Sequence, residues 1–203
     1  MKGYNGVAIL ARTPLADGGS RDWCAREDCR HVAADVGGGV ELHNFYVPAG
    51  GDEPDPQTND KFAHKLDFLK EATNWSKDLS PKGKRILVGD LNIAPHENDV
   101  WSHKELLKVV SHTPVEVDGL AAWQAAHGWV DAIRTIVPND EKIYSWWSYR
   151  NRTWPGSDRG RRLDHIWVSP ILAKKVADAG VFRDARGWAR PSDHAPVWAD
   201  IEL

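Results

Sequence analysis

The sequence predicts an α/β (α+β) fold with mixed β-sheets, on three observations. Strand-like apolar runs dominate, helical periodicity falls between them, and no repeat, low-complexity tract or linker divides the 203 residues. At about 100–200 residues per domain, that length fits one globular domain, 1–203.

The elements follow in order. Gly6-Val7-Ala8-Ile9-Leu10 is continuously apolar and reads as a strand buried on both faces. After turn-rich residues from Thr13-Pro14 to Ser20, strands are predicted over 31–36 and 40–47, the second alternating as a half-buried strand does. Gly37-Gly38-Gly39 between them is a hairpin signal. A loop rich in Pro and Gly spans 48–57. Thr58 then caps a helix over 59–77, with Phe62, Leu66, Leu69 and Ala72 on one face. Residues 85–90 read as a short buried strand ending in an acid. Helices over 105–110 and 120–126, strands over 142–149, 163–169 and 195–201, and a helix over 171–179 complete the expectation.

Composition excludes several classes. No run of about 18 apolar residues exists, so no transmembrane helix is expected. Met1-Lys2-Gly3-Tyr4-Asn5 lacks the organisation of a signal peptide, which places the chain in the cytoplasm. Cys24 and Cys29 are too few for a disulfide framework and match no four-ligand zinc spacing. A formal charge of −3 argues against indiscriminate coating of nucleic acid but leaves room for a local basic groove. The chain also holds 11 tryptophans; Trp123, Trp129, Trp167 and Trp198 sit in apolar runs and are expected in the core.

Three segments place polar residues at the end of an apolar strand, where a scaffold holds functional groups rigidly. In Gly89-Asp90-Leu91-Asn92, Asp90 and Asn92 are two apart and point the same way on an extended chain. A carboxylate with a carboxamide oxygen suits a hard cation, although the same residues also serve turns. Asp193-His194 offers a carboxylate and a proton-exchanging imidazole, and Asp164 is a candidate to orient that ring. Asp164 lies inside an apolar strand, so it needs a partner. Tyr144-Ser145-Trp146-Trp147-Ser148-Tyr149-Arg150 is followed by Arg152, Arg159, Arg161 and Arg162 with only Asp158 opposing them. That is the composition of a phosphate- and base-binding groove as well as of a core strand beside a solvated loop.

Taken in order, Gly6–Leu10, Asn44-Phe45-Tyr46-Val47-Pro48-Ala49-Gly50, Gly89-Asp90-Leu91-Asn92-Ile93-Ala94-Pro95, the Tyr144–Arg150 segment, Arg162-Leu163-Asp164-His165-Ile166-Trp167-Val168-Ser169 and Pro191-Ser192-Asp193-His194-Ala195-Pro196-Val197 resemble the exonuclease III and apurinic/apyrimidinic endonuclease branch of the endonuclease/exonuclease/phosphatase superfamily. The resemblance implies a four-layer sandwich with two packed mixed β-sheets and a site at one end. It implies metal-dependent hydrolysis of DNA phosphodiesters: abasic-site incision, 3′-to-5′ exonuclease action and 3′-end cleaning. Mg2+, with Mn2+ as a substitute, is the implied cofactor. Double-stranded DNA with abasic or 3′-blocked ends is the implied partner, acted on by a monomer with no membrane attachment. Carried onto matching positions, the catalytic set is Tyr46, Asp90, Asn92, Asp164 and His194. The metal set is Asp90, Asn92, Asp193 and His194, and the DNA contacts are Arg30, Trp146 and Arg150. Such a set suits phosphoryl transfer, which needs positioned charge and an activated water.

One departure accompanies the resemblance. The family's early Asn and its Leu-Gln-Glu segment, whose Glu is a principal metal ligand, have no counterpart, since none of the glutamates follows a Gln. The expectation is therefore a domain lacking on the order of 60 family residues at its start. Two other readings stand beside the nuclease: another phosphodiesterase or phosphatase of the superfamily, and a DNA-binding fragment impaired in catalysis.

Overall fold

The computed structural model describes residues 5–150 and 153–203. In chain order the elements are β1 (Ala16–Asp17), β2 (His31–Asp35), β3 (Val40–Tyr46), α1 (Asp60–Lys77), β4 (Lys84–Asp90), α2 (His103–Leu106), α3 (Pro114–His127), β5 (Val130–Asp131), α4 (Ala132–Ile136), β6 (Trp146–Trp147), α5 (Trp154–Ser157), β7 (Gly160–Arg161), β8 (Asp164–Val168), β9 (Val176–Val181) and β10 (Val197–Ile201). The main sheet has six strands in the order β1-β2-β3-β4-β8-β5, and two-stranded sheets form from β9 with β10 and from β6 with β7. The main sheet is mixed, because β3 and β4 run parallel while β2–β3 and β4–β8 are antiparallel. The parallel step needs a crossover, and α1 supplies it.

Period-two alternation assigns the two faces of this sheet. Leu87 and Trp167 join Phe45 on one face and pack beneath Phe68, Leu69, Ala72, Leu120 and Trp123 of α1 and α3. Ile86, Ile166 and Val168 lie on the other face with Val40, against Val176, Val197, Ala199 and Ile201 of the β9–β10 sheet. The protein is thus a helix layer, a large mixed sheet and a smaller sheet. Each fully buried large side chain contributes about 1.5–3 kcal/mol, so Phe45, Leu87, Trp123 and Trp167, none more than 1% exposed, anchor the sheet to its helices.

Several expectations are corrected. Residues 6–10 pair in no strand, and Leu10 is 89% exposed, so this run is not buried on both faces. Its recorded tether is Asn44 Nδ2 donating to the Ala8 carbonyl at 2.9 Å. Asn59, not Thr58, caps α1, its side chain accepting from the Lys61 and Phe62 amides. The short helix α2 stops at Leu106, whereas α3 starts six residues earlier than expected because Thr113 and Glu116 form a capping box with Pro114 at the first turn. The expected long strand at 142–149 contracts to the two residues of β6. The expected helix over 171–179 is a 3-10 turn, Pro170–Lys175, followed by β9, whose register with β10 takes Val176 to Ala179 into a sheet. Trp198 is 39% exposed and belongs to the surface, since β10 pairs with one neighbour only.

Candidate active site

Three adjacent strands end on one rung. The register pairs Tyr46 with Asp90 and Asp90 with Asp164, so these side chains emerge side by side at one end of the main sheet. Gly89, just before Asp90, has φ +137, and a Cβ there would strike the Phe45 carbonyl oxygen and sit 3.0 Å from Asn44 Oδ1. Only glycine permits β4 to turn this tightly against β3 and aim Asp90 at the rim.

Asn92 completes the turn in the left-handed region, φ 55. Its amide donates to Asp90 Oδ1 at 2.9 Å, and its Nδ2 donates to Asp90 Oδ2 at 2.9 Å and to the Val47 carbonyl at 3.0 Å. Beneath it lies Lys65, fully buried, whose Nζ donates to the Asn92 carbonyl at 2.9 Å and the Ala49 carbonyl at 3.2 Å and pairs with Glu116. Burial lowers the Lys65 pKa despite that carboxylate.

His194 reaches the rung from β6's neighbour segment. It bridges Trp146, and the Ala195 amide donates to the Ser145 carbonyl at 2.7 Å. Its Nδ1 lies 2.8 Å from Asp164 Oδ2, and its Nε2 lies 3.9 Å from Asp90 Oδ2. Burial opposes charge on this ring, yet the Asp164 hydrogen bond and charge, with Asp90 and Asp193 beyond, lift its pKa to about 9. The ring is therefore an imidazolium whose Nδ1–H donates to Asp164. Burial first, then the Asp164 charge, push Asp90 up to about 7, against the pull of His194 and the Asn92 amide. Ser145 Oγ donates to Asp164 Oδ2 at 2.6 Å and accepts from the Leu163 and Asp164 amides, each at 3.0 Å.

The rung opens into a cavity of about 1060 Å³ that also exposes Trp146, Leu163, Arg150, Arg161 and Asp193. Most of the sequence-predicted residues therefore converge: Tyr46, Asp90, Asn92, Trp146, Arg150, Asp193 and His194 line this cavity. Asp164 stands just behind them. Asp193 turns aside, its Oδ2 accepting from Trp146 Nε1 at 3.0 Å. Arg30 is not presented to a ligand: it is 7% exposed, pairs with Asp28, donates from Nη1 to the Tyr46 carbonyl at 3.2 Å and stacks 5.0 Å from the Tyr46 ring centroid. Its place is as a brace for Tyr46, whose amide donates to the Arg30 carbonyl at 2.9 Å just ahead of β2. Arg152 lies outside the described residues.

Sequence reading missed Ser145 and Lys65 as parts of the site and gave Arg161 only as one of a basic run. Lys65 carried a signal, since it falls three residues after Phe62 and four before Leu69, inside the apolar stripe of α1. A cation in such a stripe implies a buried partner. Ser145 carried none.

One carboxylate oxygen each from Asp90 and Asp164 and one ring nitrogen of His194 lie within 4.8 Å of one another. The donor set fits a hard cation: two carboxylates this close hold one another towards protonation, and a cation relieves that repulsion. Asn92 adds a carboxamide beside Asp90.

The sequence matches the model of a family described as Endonuclease/Exonuclease/phosphatase over residues 1–194. Exodeoxyribonuclease III of Haemophilus influenzae is 31% identical over 219 aligned positions, covering 99% of this chain and 78% of that protein. Among solved structures, an AP endonuclease from Archaeoglobus fulgidus superposes with TM-score 0.84 at 26% identity, over 94% of this chain and 72% of the other. A 3′ phosphatase from Neisseria bound to a product DNA hairpin superposes with TM-score 0.81 at 28% identity, over 93% and 70%.

Proposed function

The chain belongs to the Endonuclease/Exonuclease/phosphatase family, and from that premise we propose that it is a DNA repair nuclease, a hydrolase acting on phosphodiesters of double-stranded DNA at abasic sites and blocked 3′ ends. The observation that carries the proposal is the single rung of Tyr46, Asp90 and Asp164 with His194 hydrogen-bonded to Asp164. The domain 1–203 acts as a monomer in the cytoplasm, and no helix of the described residues is long and apolar enough to cross a membrane.

Each residue has a task that its surroundings explain. His194, charged and oriented by Asp164, presents Nε2 to a non-bridging oxygen of the scissile phosphate, where a fixed positive charge stabilises the transition state. Asp90, held by both hydrogen bonds from Asn92, stands near neutrality in its proton affinity and exchanges a proton at Oδ2 with the attacking water or the departing oxygen. Tyr46 faces the same phosphate from the neighbouring strand, and Ser145 fixes Asp164 from behind. Trp146 forms the apolar wall for the sugar, and Arg150 at the rim meets the DNA backbone. Asp90 and Asn92, with Asp193 nearby, are the residues that would hold Mg2+ or Mn2+, whereas His194, being charged, has no lone pair to give the ion. That ion supplies Lewis-acid stabilisation of the phosphoryl oxygens.

The test is nicking of a duplex with one tetrahydrofuran abasic site, with and without magnesium. Magnesium-dependent incision that disappears in Asp90→Ala supports the proposal. A folded protein that leaves the duplex uncut at every metal concentration, yet hydrolyses a phospholipid or a nucleotide monoester, would overturn it.

A further inference from the structure

Arg161 is a cavity-lining cation that the fold holds in place through neutral acceptors. It enters the cavity from β7, directly after Gly160, alongside Asp90, Asn92, Trp146 and His194. Its guanidinium lies 5.3 Å from the Trp146 ring centroid. Nη1 donates to the Val110 carbonyl at 2.9 Å and to Ser111 Oγ at 2.7 Å, and both acceptors are neutral. Among the described residues no carboxylate forms an ion pair with it. The contrast with the next residue is plain: Arg162 is fully buried and pairs with both Asp99 and Asp131. Glu116, the carboxylate nearest in effect to Arg161, is occupied by Lys65, by the Ser111 amide and by Thr113.

A guanidinium cannot shed its proton, so a half-buried one without a counter-ion is built to meet an anion that arrives. Trp101, Leu106, Val109 and Leu163 give the same cavity an apolar stretch of wall, beside the polar Ser111 and Arg159. An uncharged sugar would need that apolar wall but no cation.

We propose that Arg161 is a specificity-determining residue that binds an anionic substituent, such as a carboxylate, on the fragment being removed from a DNA 3′ end. This rests on the nuclease reading above and names its preferred substrate class: 3′ phosphodiesters whose outer substituent is charged. In the reaction, the oxygen of water bonds to phosphorus and the bond from phosphorus to the strand's 3′ oxygen breaks. That oxygen takes a proton. The fragment departs with the phosphate and its substituent, the latter held by Arg161.

The experiment compares two duplexes of matched size, one ending in 3′-phosphoglycolate and one in 3′-(2-hydroxyethyl) phosphate, which differ at the terminus by a carboxylate against a hydroxyl. Cleavage is measured with magnesium and binding in EDTA. A charge-assisted hydrogen bond implies a preference of about 10- to 100-fold for the glycolate end. The preference should collapse to near unity in Arg161→Leu and survive in part in Arg161→Lys. Because each ratio is taken within one protein, a partly unfolded variant does not distort it. A wild-type protein that cleaves both ends without preference, or a preference unchanged in Arg161→Leu, overturns the proposal while leaving the nuclease reading intact. A wild-type protein that binds and cuts neither duplex, nor the tetrahydrofuran duplex, overturns both.

Discussion

Replacing Lys65 with Met removes a buried cation that ties α1 and α3 to the Asp90–Asn92 turn. Its three ammonium protons have three acceptors: the Ala49 carbonyl, the Asn92 carbonyl and Glu116. Breaking a buried ion pair from one side costs about 3–5 kcal/mol, mostly through the charge left behind. Glu116 would still accept from the Ser111 amide at 2.9 Å, the Thr113 amide at 3.2 Å and Thr113 Oγ at 2.6 Å, so the low end applies. At about 2–4 °C per kcal/mol for a chain of this size, about 3 kcal/mol lowers Tm by roughly 6–12 °C. Lys65→Met/Glu116→Gln removes the stranded charge and should recover part of the loss. Well below Tm, the single variant should also lose activity on abasic DNA, by up to about 100-fold, because the Asn92 carbonyl is no longer pinned. The assay is thermal unfolding followed by circular dichroism, with cleavage rates at 20 °C below the melting range. A single variant melting within about 2 °C of wild type, or a double variant no more stable than the single, would refute the reasoning.

Other expectations are as direct. Asp164→Asn should leave Tm nearly unchanged but reduce kcat by about 10³–10⁴, since His194 loses the acceptor that orients and charges it; steady-state cleavage kinetics check this. Gly89→Ala should cost more than about 2 kcal/mol in urea unfolding, as its Cβ meets the Phe45 carbonyl at a φ that alanine avoids. Burial holds His31 at about 3 and His43 at about 4, so between those values and 6.5 the unfolded chain binds protons that the folded one refuses. Each of these two rings therefore withdraws stability as pH drops below 6.5, by about 2 kcal/mol at pH 5 relative to pH 7. Asp90 and His194, whose pKa values are raised, act in the opposite sense. The difference between the wild-type and His31→Phe urea midpoints at the two pH values isolates the ring, and His31→Phe should lose about 2 kcal/mol less than wild type on going to pH 5.

The strands that carry the site were legible because each is a short apolar run with a polar residue at one end, Asp90 last in β4 and Asp164 first in β8. The hairpin between β2 and β3 was legible from three glycines, of which each has positive φ. The misreadings have a shared cause. Residues 6–10 and 171–179 are apolar enough to be strand or helix, and the choice depended on whether another strand lay beside them. Val176 to Val181 found β10; Val7 to Leu10 found no ladder. Trp198 read as core because its neighbours are apolar, yet an edge strand leaves one of its faces to solvent.

The family, the class of fold and the proposal of Tyr46, Asp90, Asn92, Asp164 and His194 as site residues came from sequence alone, because strand ends and their polar residues are local properties of the chain. Tertiary structure alone decided which charges are neutralised. Arg161 and Arg162 are neighbours of one residue type, but on successive positions of an extended chain they face opposite ways. One is sealed between Asp99 and Asp131, and the other is left unpaired in the cavity beside Trp146. Arg30 and Lys65 likewise became braces rather than ligands, since the layers that close over them supply their partners. Side-chain pairing across distant segments is fixed only when the sheets and helices pack, and that is where this protein sets the charge of its candidate site.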